Sequence, residues 1–178
     1  MAFSASTVFE VQGGVGSDTN GGGYVTGSSG TDYSQQASAQ IATTDAVAAG
    51  TTTITSVTAG FTSAITGNMV YLAGGSNSLG ADWYKATYVS ATSITVDRNV
   101  AAGTGITMNI GGCLNTIGQA CTIANAHVAD GFIIYVKATG TYSIATALSI
   151  TNQPGSPVSR VVGYSSTRGD GGQATIQV

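Results

Sequence analysis

The strongest constraint on the fold is a series of short apolar strands between residues 129 and 178, which recur at regular spacing. Their apolar centres lie near Ile134, Ile150, Val161 and Ile176, and turn residues separate each pair. Within the strands, apolar residues alternate with Ser, Thr, Lys and Gln, a pattern typical of strands with one buried and one hydrated face. The spacing therefore predicts short strands stacked in successive coils.

Composition extends this interpretation to the whole chain. Charged residues make up 7% of the sequence, against about 25% in typical soluble domains, which disfavours amphipathic surface helices. The 26 Gly residues and the abundant Ser and Thr indicate many tight turns and a hydroxyl-rich surface. The sequence therefore predicts an all-β protein.

The net charge of −3 offers little repulsion between copies, which favours assembly into an oligomer. The five Lys and Arg residues are scattered, so no basic stripe exists for nucleic-acid binding. No run approaches the roughly 18 apolar residues of a membrane span. Residues 1–12 lack the basic and apolar regions of a signal peptide.

The pattern divides the chain into three segments. Residues 1–39 are predicted to form an extended glycine-rich arm that begins with one strand. Residues 40–112 contain strands joined by short turns, which predicts a small antiparallel β barrel or sandwich. Residues 113–178 are predicted to begin with a short helix over residues 114–128, where apolar residues have helical spacing, and to continue into the coils.

Two features leave alternatives open. The Ala and Gln content of residues 34–48 would suit a helix with Ser34 as its cap, but Ile41 and Thr43 interrupt the pattern, so a strand is favoured. The chain stops at residues 176–178, in the middle of a predicted strand. We therefore expect either a fragment of a longer chain or an unusually short form.

Several stretches resemble the pectate-lyase-like right-handed β-helix: ADGFIIYVKATGTYSI after a short helix, then the strand TALSI and the turn VVGYSSTRGDGG. Asp130 followed by Gly131 departs from the Gly-Asp order usual in the entry coil. With FEVQGGVGSDTNGGGYVTGSSGTDYSQQ, GNMVYLAGG and WYKATYVSATSITVDR ahead of them, these motifs are similar to those of tailed-bacteriophage virion proteins with a β-rich N-terminal region. The resemblance covers nearly the whole chain, and its glycine and turn patterns specify architecture more than activity.

The resemblance implies that the first coils of a right-handed parallel β-helix follow the β-domain and the helix. It also implies a tail spike, tail fibre or capsid decoration that is often a homotrimer. We therefore expect a non-enzymatic structural protein on the virion surface, made in the host cytoplasm and bound to capsid or tail proteins. Two alternatives are a fragment of a tail-spike depolymerase that binds host polysaccharide, and a bacterial surface adhesin.

The side-chain pattern does not support catalysis. The eight carboxylates include no two at a spacing that predicts a facing pair. In the coil region only Asp170 lies beside a basic residue, Arg168, and these two residues flank Gly169 in an RGD tripeptide, which integrins read in extracellular ligands. A tight turn is the simpler interpretation. His127 is isolated in the sequence and lacks a supporting group, so we expect no catalytic residue, no cofactor-binding residue and no cofactor.

Weak candidates for metal ligands occur in the glycine-rich arm. Asp18, Asn20 and Asp32 carry oxygen ligands that suit Ca²⁺, although Asx turns are the commoner use of such loops. Cys113 and Cys121 would be separated by about 12 Å on one helix, which is too far for a disulfide. Both are predicted to be buried free thiols, with a disulfide as the alternative if Cys113 precedes the helix.

The candidate contact residues are aromatic or aliphatic. Four residues of the arm are expected to attach the chain to the particle: Phe9, Val11, Tyr24 and Tyr33. Three residues of the β-domain are candidates for contact with a glycan or a partner protein, with core packing as the alternative: Trp83, Tyr84 and Tyr88.

Overall fold

The structure is a computed structural model, and it describes residues 3, 4, 6–128, 131–144, 147–150 and 159–177. Most of the described secondary structure is β-strand, which confirms that the chain is mostly β, as the predicted all-β class requires. The elements are β1 Thr7–Val11, β2 Gly23–Val25, β3 Ile41–Ala48, β4 Thr53–Thr55, a 3-10 helix Ser63–Ile65, β5 Met69–Gly74, β6 Leu79–Ser90, β7 Ser93–Val96, β8 Gly103–Ile110, α1 Ile117–His127, β9 Ile133–Lys137, β10 Thr141–Ser143, β11 Arg160–Tyr164 and β12 Thr175–Gln177.

The middle of the chain forms a closed antiparallel barrel with the strand order β3-β4-β7-β6-β5-β8. The sequence left a barrel and a sandwich open, and the structure selects the barrel. Alternation explains its interior, because every second residue of β8 from Ile106 onwards is buried: Ile106, Met108 and Ile110. Closure leaves these strands without an unpaired edge, so the barrel satisfies its own backbone hydrogen bonds.

Residues 41–48, where a helix was the alternative, form β3. This strand pairs with β8 and with β4, and its register against β8 shifts between Thr43 and Ala46 and again between Ala46 and Ala48. The β-branched residues Ile41 and Thr43 favour a pleated strand. The favoured interpretation of this segment as a strand is confirmed.

The two ends of the chain meet in a parallel arrangement. A four-stranded sheet has the order β11-β9-β1-β2, in which β9 pairs in parallel with both β1 and β11. Phe9, Ile134 and Val161 share one row across β1, β9 and β11. A second sheet contains the parallel pair β10 and β12. We call these two sheets together with α1 the parallel region.

The N-terminal arm differs in the structure from the extended arm that the sequence predicts. Its predicted strand exists as β1, but all five of its residues are buried, and it lies between β9 and β2 instead of extending from the fold. The glycine-rich segment follows the surface of the barrel. Gly21 is required there, because a Cβ atom on it would lie 2.0 Å from the carbonyl oxygen of Met69. The predicted domain limits stay a prediction.

Helix α1 confirms the predicted short helix. Its N-cap is Thr116, whose Oγ1 accepts a hydrogen bond from the backbone N–H of Gln119 at 3.1 Å. Asp18 adds a negative charge at this end and accepts hydrogen bonds from the backbone N–H groups of Asn115 and Thr116, both at 2.9 Å. The buried face of the helix is apolar and consists of Ile117, Ala120, Cys121, Ile123 and Ala124.

Two apolar cores result. One fills the barrel, and the other lies between the outer surface of the barrel, α1 and the parallel sheets. Met69, Tyr71 and Trp83 of the barrel belong to the second core, and the indole Nε1–H of Trp83 donates to the carbonyl oxygen of Asn20 at 2.9 Å. The barrel therefore supports the parallel region along one side.

Candidate functional site

The three weak metal-ligand candidates are each engaged elsewhere. Asp18 binds the start of α1, and the amide nitrogen of Asn20 donates to the carbonyl oxygens of Ala37 and Cys113. Asp32 accepts hydrogen bonds from the backbone N–H and the hydroxyl of Ser34. Among the described residues, no three His, Cys, Asp or Glu side chains come together in a way that could hold a metal ion.

The RGD tripeptide lies in a tight turn, which agrees with the simpler interpretation of these residues. Asp170 accepts hydrogen bonds from the backbone N–H groups of Ser165, Ser166, Thr167 and Gly172. These bonds favour the ionised carboxylate and hold the pKa of Asp170 well below its usual range. We call residues 165–172 the outer turn.

Arg168 points from the outer turn towards the N-terminal half of the chain, so its guanidinium is not presented to an integrin. Its Nε and Nη2 lie 2.9 and 2.8 Å from Oε2 of Glu10. Its Nη1 lies 2.8 Å from Oδ2 of Asp32, and its Nη2 donates to the hydroxyl of Ser34 at 2.7 Å. The guanidinium carbon lies 4.8 Å from the ring centroid of Tyr135, a cation–π contact.

Glu10 is the charged residue that sequence reasoning missed. Its side chain has no exposed area, and its Oε1 accepts hydrogen bonds from the Tyr164 hydroxyl and from Nε2 of Gln12. Burial raises the pKa of Glu10, although Tyr164 and Arg168 oppose the shift. Burial also raises the pKa of Tyr164, and the neighbouring carboxylate adds to the effect. The sequence signal for this buried carboxylate was a single Glu between the apolar residues Phe9 and Val11.

A second charged cluster joins the barrel to the end of α1. Arg98 forms ion pairs with Asp82 at 2.8 Å and with Asp97 at 3.2 Å, and its guanidinium carbon lies 4.0 Å from the ring centroid of Tyr84. Nε2 of His127 lies 2.7 Å from Oδ1 of Asp82. Burial alone would raise the pKa of Asp82, but the hydrogen bonds from His127 and Arg98 hold it well below its usual range.

The prediction that His127 lacks a supporting acid is therefore wrong, because folding brings Asp82 to it from 45 residues away in the sequence. A His–Asp pair alone does not make a hydrolase, which also needs a nucleophile. The described polar side-chain contacts of His127 are with Asp82 and Arg98. The pair holds the barrel to the helix.

The candidate contact residues differ in accessibility. Phe9 and Val11 have no exposed area and pack in the core of the parallel region, so they support the fold and cannot contact a partner directly. Tyr24 is also buried, and its hydroxyl lies 2.9 and 2.8 Å from the carbonyl oxygens of Ser28 and Gly30. Tyr33 is partly exposed. Attachment through exposed surface is thus restricted to Tyr33 among these four residues.

The aromatic residues of the barrel follow the same division. Trp83 and Tyr84 are buried in the structure, which leaves little of either ring for a glycan. Tyr88 is partly exposed and packs against the barrel core.

Both cysteines are buried free thiols, and burial together with the charge of Glu10 raises the pKa of Cys113 to about 11.

One open cleft of about 420 Å³ lies where the glycine-rich segment, the start of α1 and β10 meet. No charged side chain contributes to its described lining, which combines backbone, hydroxyl and amide groups with aliphatic side chains. Gly14 and Gly118 border this space, and a Cβ atom on either would touch nothing within 4 Å. The hydroxyl of Tyr142 accepts a hydrogen bond from the backbone N–H of Gly13 at 2.9 Å.

No family model matches this sequence, and no curated protein or solved structure shows significant similarity to it. Within the described part of the chain, no helix is long and apolar enough to cross a membrane.

Proposed function

We propose that this chain is a non-enzymatic structural component of a tailed-phage virion, with its parallel region forming the first coils of a right-handed β-helix. The observation that carries the proposal is the parallel row of β1, β9 and β11, with the parallel pair β10 and β12 beside it. Parallel strands that return to neighbouring positions after long connections are what successive coils require. The barrel and α1 cover one side of this stack.

The ion pairs between side chains of this chain support a structural role. Glu10 and Asp32 are paired with Arg168, while Asp82 and Asp97 are paired with Arg98. A general acid or base must reach the substrate to transfer a proton, and groups held in internal ion pairs are poorly placed for that. Such pairs instead join segments that are distant in the sequence.

The test is to locate the chain on particles of the phage that encodes it. Quantitative mass spectrometry of purified particles should find a fixed copy number per particle, and immuno-electron microscopy should label one site on the capsid or tail. A homotrimer in solution would agree with threefold assembly. If the chain is absent from particles and occurs only as a free monomer, the structural role is excluded.

The open cleft favours one second candidate function, which is the binding of a neutral host glycan. Its volume lies within the range of small-molecule sites. An uncharged lining with Ile117, Ile144 and Leu148 on its walls suits a sugar ring, which has polar edges and apolar faces. This candidate requires binding only and no cleavage.

A variant that fills the cleft tests this second function. Gly118→Leu places a side chain in the open space and suits a helix, so the fold should be retained. Ala126→Leu makes a similar change at an exposed position of the same helix and serves as the control. Binding of host-surface polysaccharide, measured by calorimetry, should be lost in Gly118→Leu only. Equal affinity in both variants would exclude this cleft as the site.

A further inference from the structure

The carboxyl group of Glu10 lies on the outer face of the parallel sheet, and the outer turn covers it. Phe9 and Ile134 are neighbours across β1 and β9 and point into the core. Glu10 and Tyr135 are the next pair along the same strands, so alternation places both on the opposite face. A glutamate there would normally be hydrated, yet this side chain has no exposed area.

The cover over Glu10 is supplied by residues far away in the sequence. The hydroxyl of Tyr164 and the guanidinium of Arg168 both bind its carboxylate. Arg168 also binds Asp32 and Ser34, so one guanidinium joins β1, the N-terminal glycine-rich segment and the outer turn. If the outer turn leaves the sheet, water reaches Glu10 and these contacts are lost together.

We propose that the seating of the outer turn over Glu10 is a pH-sensitive clasp that acid tightens and that neutral or basic conditions loosen. The seated state buries a carboxylate, whereas the open state hydrates it. A proton therefore binds more strongly in the seated state, and mass action makes a falling pH favour that state. When the turn is open, the Glu10 side chain of β1 is uncovered.

This pH dependence of the seating is opposite in sign to the one that the ion pair between Glu10 and Arg168 alone would produce. A paired carboxylate usually prefers its charged form, and Tyr164, Gln12 and Arg168 all donate to Glu10, but the cost of removing this carboxylate completely from water exceeds their combined effect. The raised pKa of Glu10 agrees with this balance. Asp170 keeps the internal geometry of the outer turn over the same pH range, because its pKa is lowered by the backbone N–H groups.

Other groups near Glu10 do not supply the same change of charge. The pKa values of Tyr164 and Cys113 are raised, so both stay neutral at neutral and acidic pH, and an arginine stays positive throughout. Asp32 is the other carboxylate in contact with Arg168, and it must be tested separately. The charged and titratable groups on the neighbouring elements are Tyr135, Lys137, Tyr164, Arg168, Asp32 and Cys113.

The first test measures the protection of the Arg168 side-chain Nε–H from solvent exchange by NMR, using the whole labelled chain between pH 7.5 and 5. The protection factor is taken relative to free arginine at each pH. It should rise in acid by about tenfold for each unit by which seating of the outer turn raises the pKa of Glu10. Asp32→Asn should keep this rise. A factor that is constant, or that falls in acid, would overturn the proposal, as would a rise that Asp32→Asn abolishes.

The second test uses Glu10→Gln, which imitates the protonated side chain. At pH 8, trypsin should cut this variant after Arg168 more slowly than the wild-type chain, on the order of tenfold. Cleavage after Arg160, which is exposed, provides the internal reference within each sample. Faster cleavage after Arg168 in the variant would mean that the ion pair keeps the turn seated, and the proposal would fail. If the variant does not fold, the titration of the wild-type chain decides.

Discussion

The barrel and the parallel region solve the same problem of strand pairing in different ways. In the barrel, three of the six neighbouring pairs join consecutive strands, and the sheet closes on itself. In the parallel region, β1 and β9 are neighbours although more than 120 residues separate them. Part of the barrel can thus form as local hairpins, whereas the parallel region needs both ends of the chain.

The two regions also differ in what holds them together. The barrel interior is apolar, and Ile54, Leu72 and Ile106 have no exposed area. The parallel region has an apolar core as well, but its outer turn and N-terminal segment are joined by the buried ion pairs of Arg168. Ion pairs of this kind specify which segments meet more than they add stability. We therefore expect the barrel to dominate the free energy of unfolding.

The largest effect should come from a cavity in the barrel. Ile106→Ala removes a fully buried side chain and should lower the free energy of unfolding by about 2 to 5 kcal/mol. Ile176→Ala in β12, where the side chain is 43% exposed, should change it by about 0.5 kcal/mol or less. Urea unfolding followed by circular dichroism measures both. Equal losses would show that the two regions contribute alike.

A smaller loss is expected at the contact between the barrel and the N-terminal segment. The buried Asn68 side chain accepts from the backbone N–H of Tyr33 at 2.9 Å and donates to the carbonyl oxygen of Thr31 at 2.8 Å. Asn68→Ala should cost about 1 to 3 kcal/mol, because buried partners stay unpaired. Asn77→Ala, which removes an exposed hydrogen bond to Ala102, is the control and should cost less in the same urea titration.

In the parallel region, one substitution should increase stability. Gly118→Ala lies in α1 with open space around it, and it should raise the free energy of unfolding by up to about 1 kcal/mol. Gly14→Ala also meets open space, but φ at this position is +72°, which strains any other residue, so it should destabilise. Thermal unfolding of the two variants compares them. If both variants become more stable, the backbone at position 14 must leave the positive φ region when Ala replaces Gly.

The smallest effects concern pH, and the two regions should respond with opposite sign. In the barrel, hydrogen bonds from Ser56, Thr43 and Thr58 lower the pKa of Asp45, so its contribution is present above about pH 4 and is lost as the pH falls further. Glu10 has a raised pKa, so its contribution is present below its ordinary pKa and is lost as the pH rises through the raised value.

Stability measured against pH separates these two contributions. Asp45→Asn should flatten the loss of stability in acid, and Glu10→Gln should flatten the loss as the pH rises towards neutral. Denaturant unfolding at pH 3, 5 and 7 provides the comparison. If Glu10→Gln instead reduces the loss of stability as the pH falls, the ion pair with Arg168 outweighs the burial of the carboxylate.

Local patterns predicted much of the secondary structure. Alternating apolar residues predicted β8 and β9, and the helical spacing after residue 113 predicted α1. The barrel pairings of β3 with β4, β5 with β6 and β6 with β7 join consecutive strands, so sequence reasoning could reach them; the other three barrel pairings join strands that are distant in the sequence. The strand predicted at TALSI, residues 146–150, is wrong for the residues that the structure describes, because residues 147–150 lie in no strand; residue 146 lies outside the described residues. The interpretation of the coils as a β-helix is a proposal.

The sequence by itself determined the mainly-β class, the short helix and the set of residues with an apolar face, because these depend on spacings of two to four residues. Only the tertiary structure decided that β1 lies inside a sheet, that His127 meets Asp82, and that Arg168 covers Glu10. Those contacts join residues that are 45 to more than 120 positions apart. Such partners leave no local pattern, because a buried charge needs only one complementary group, and any position that folding brings near can supply it.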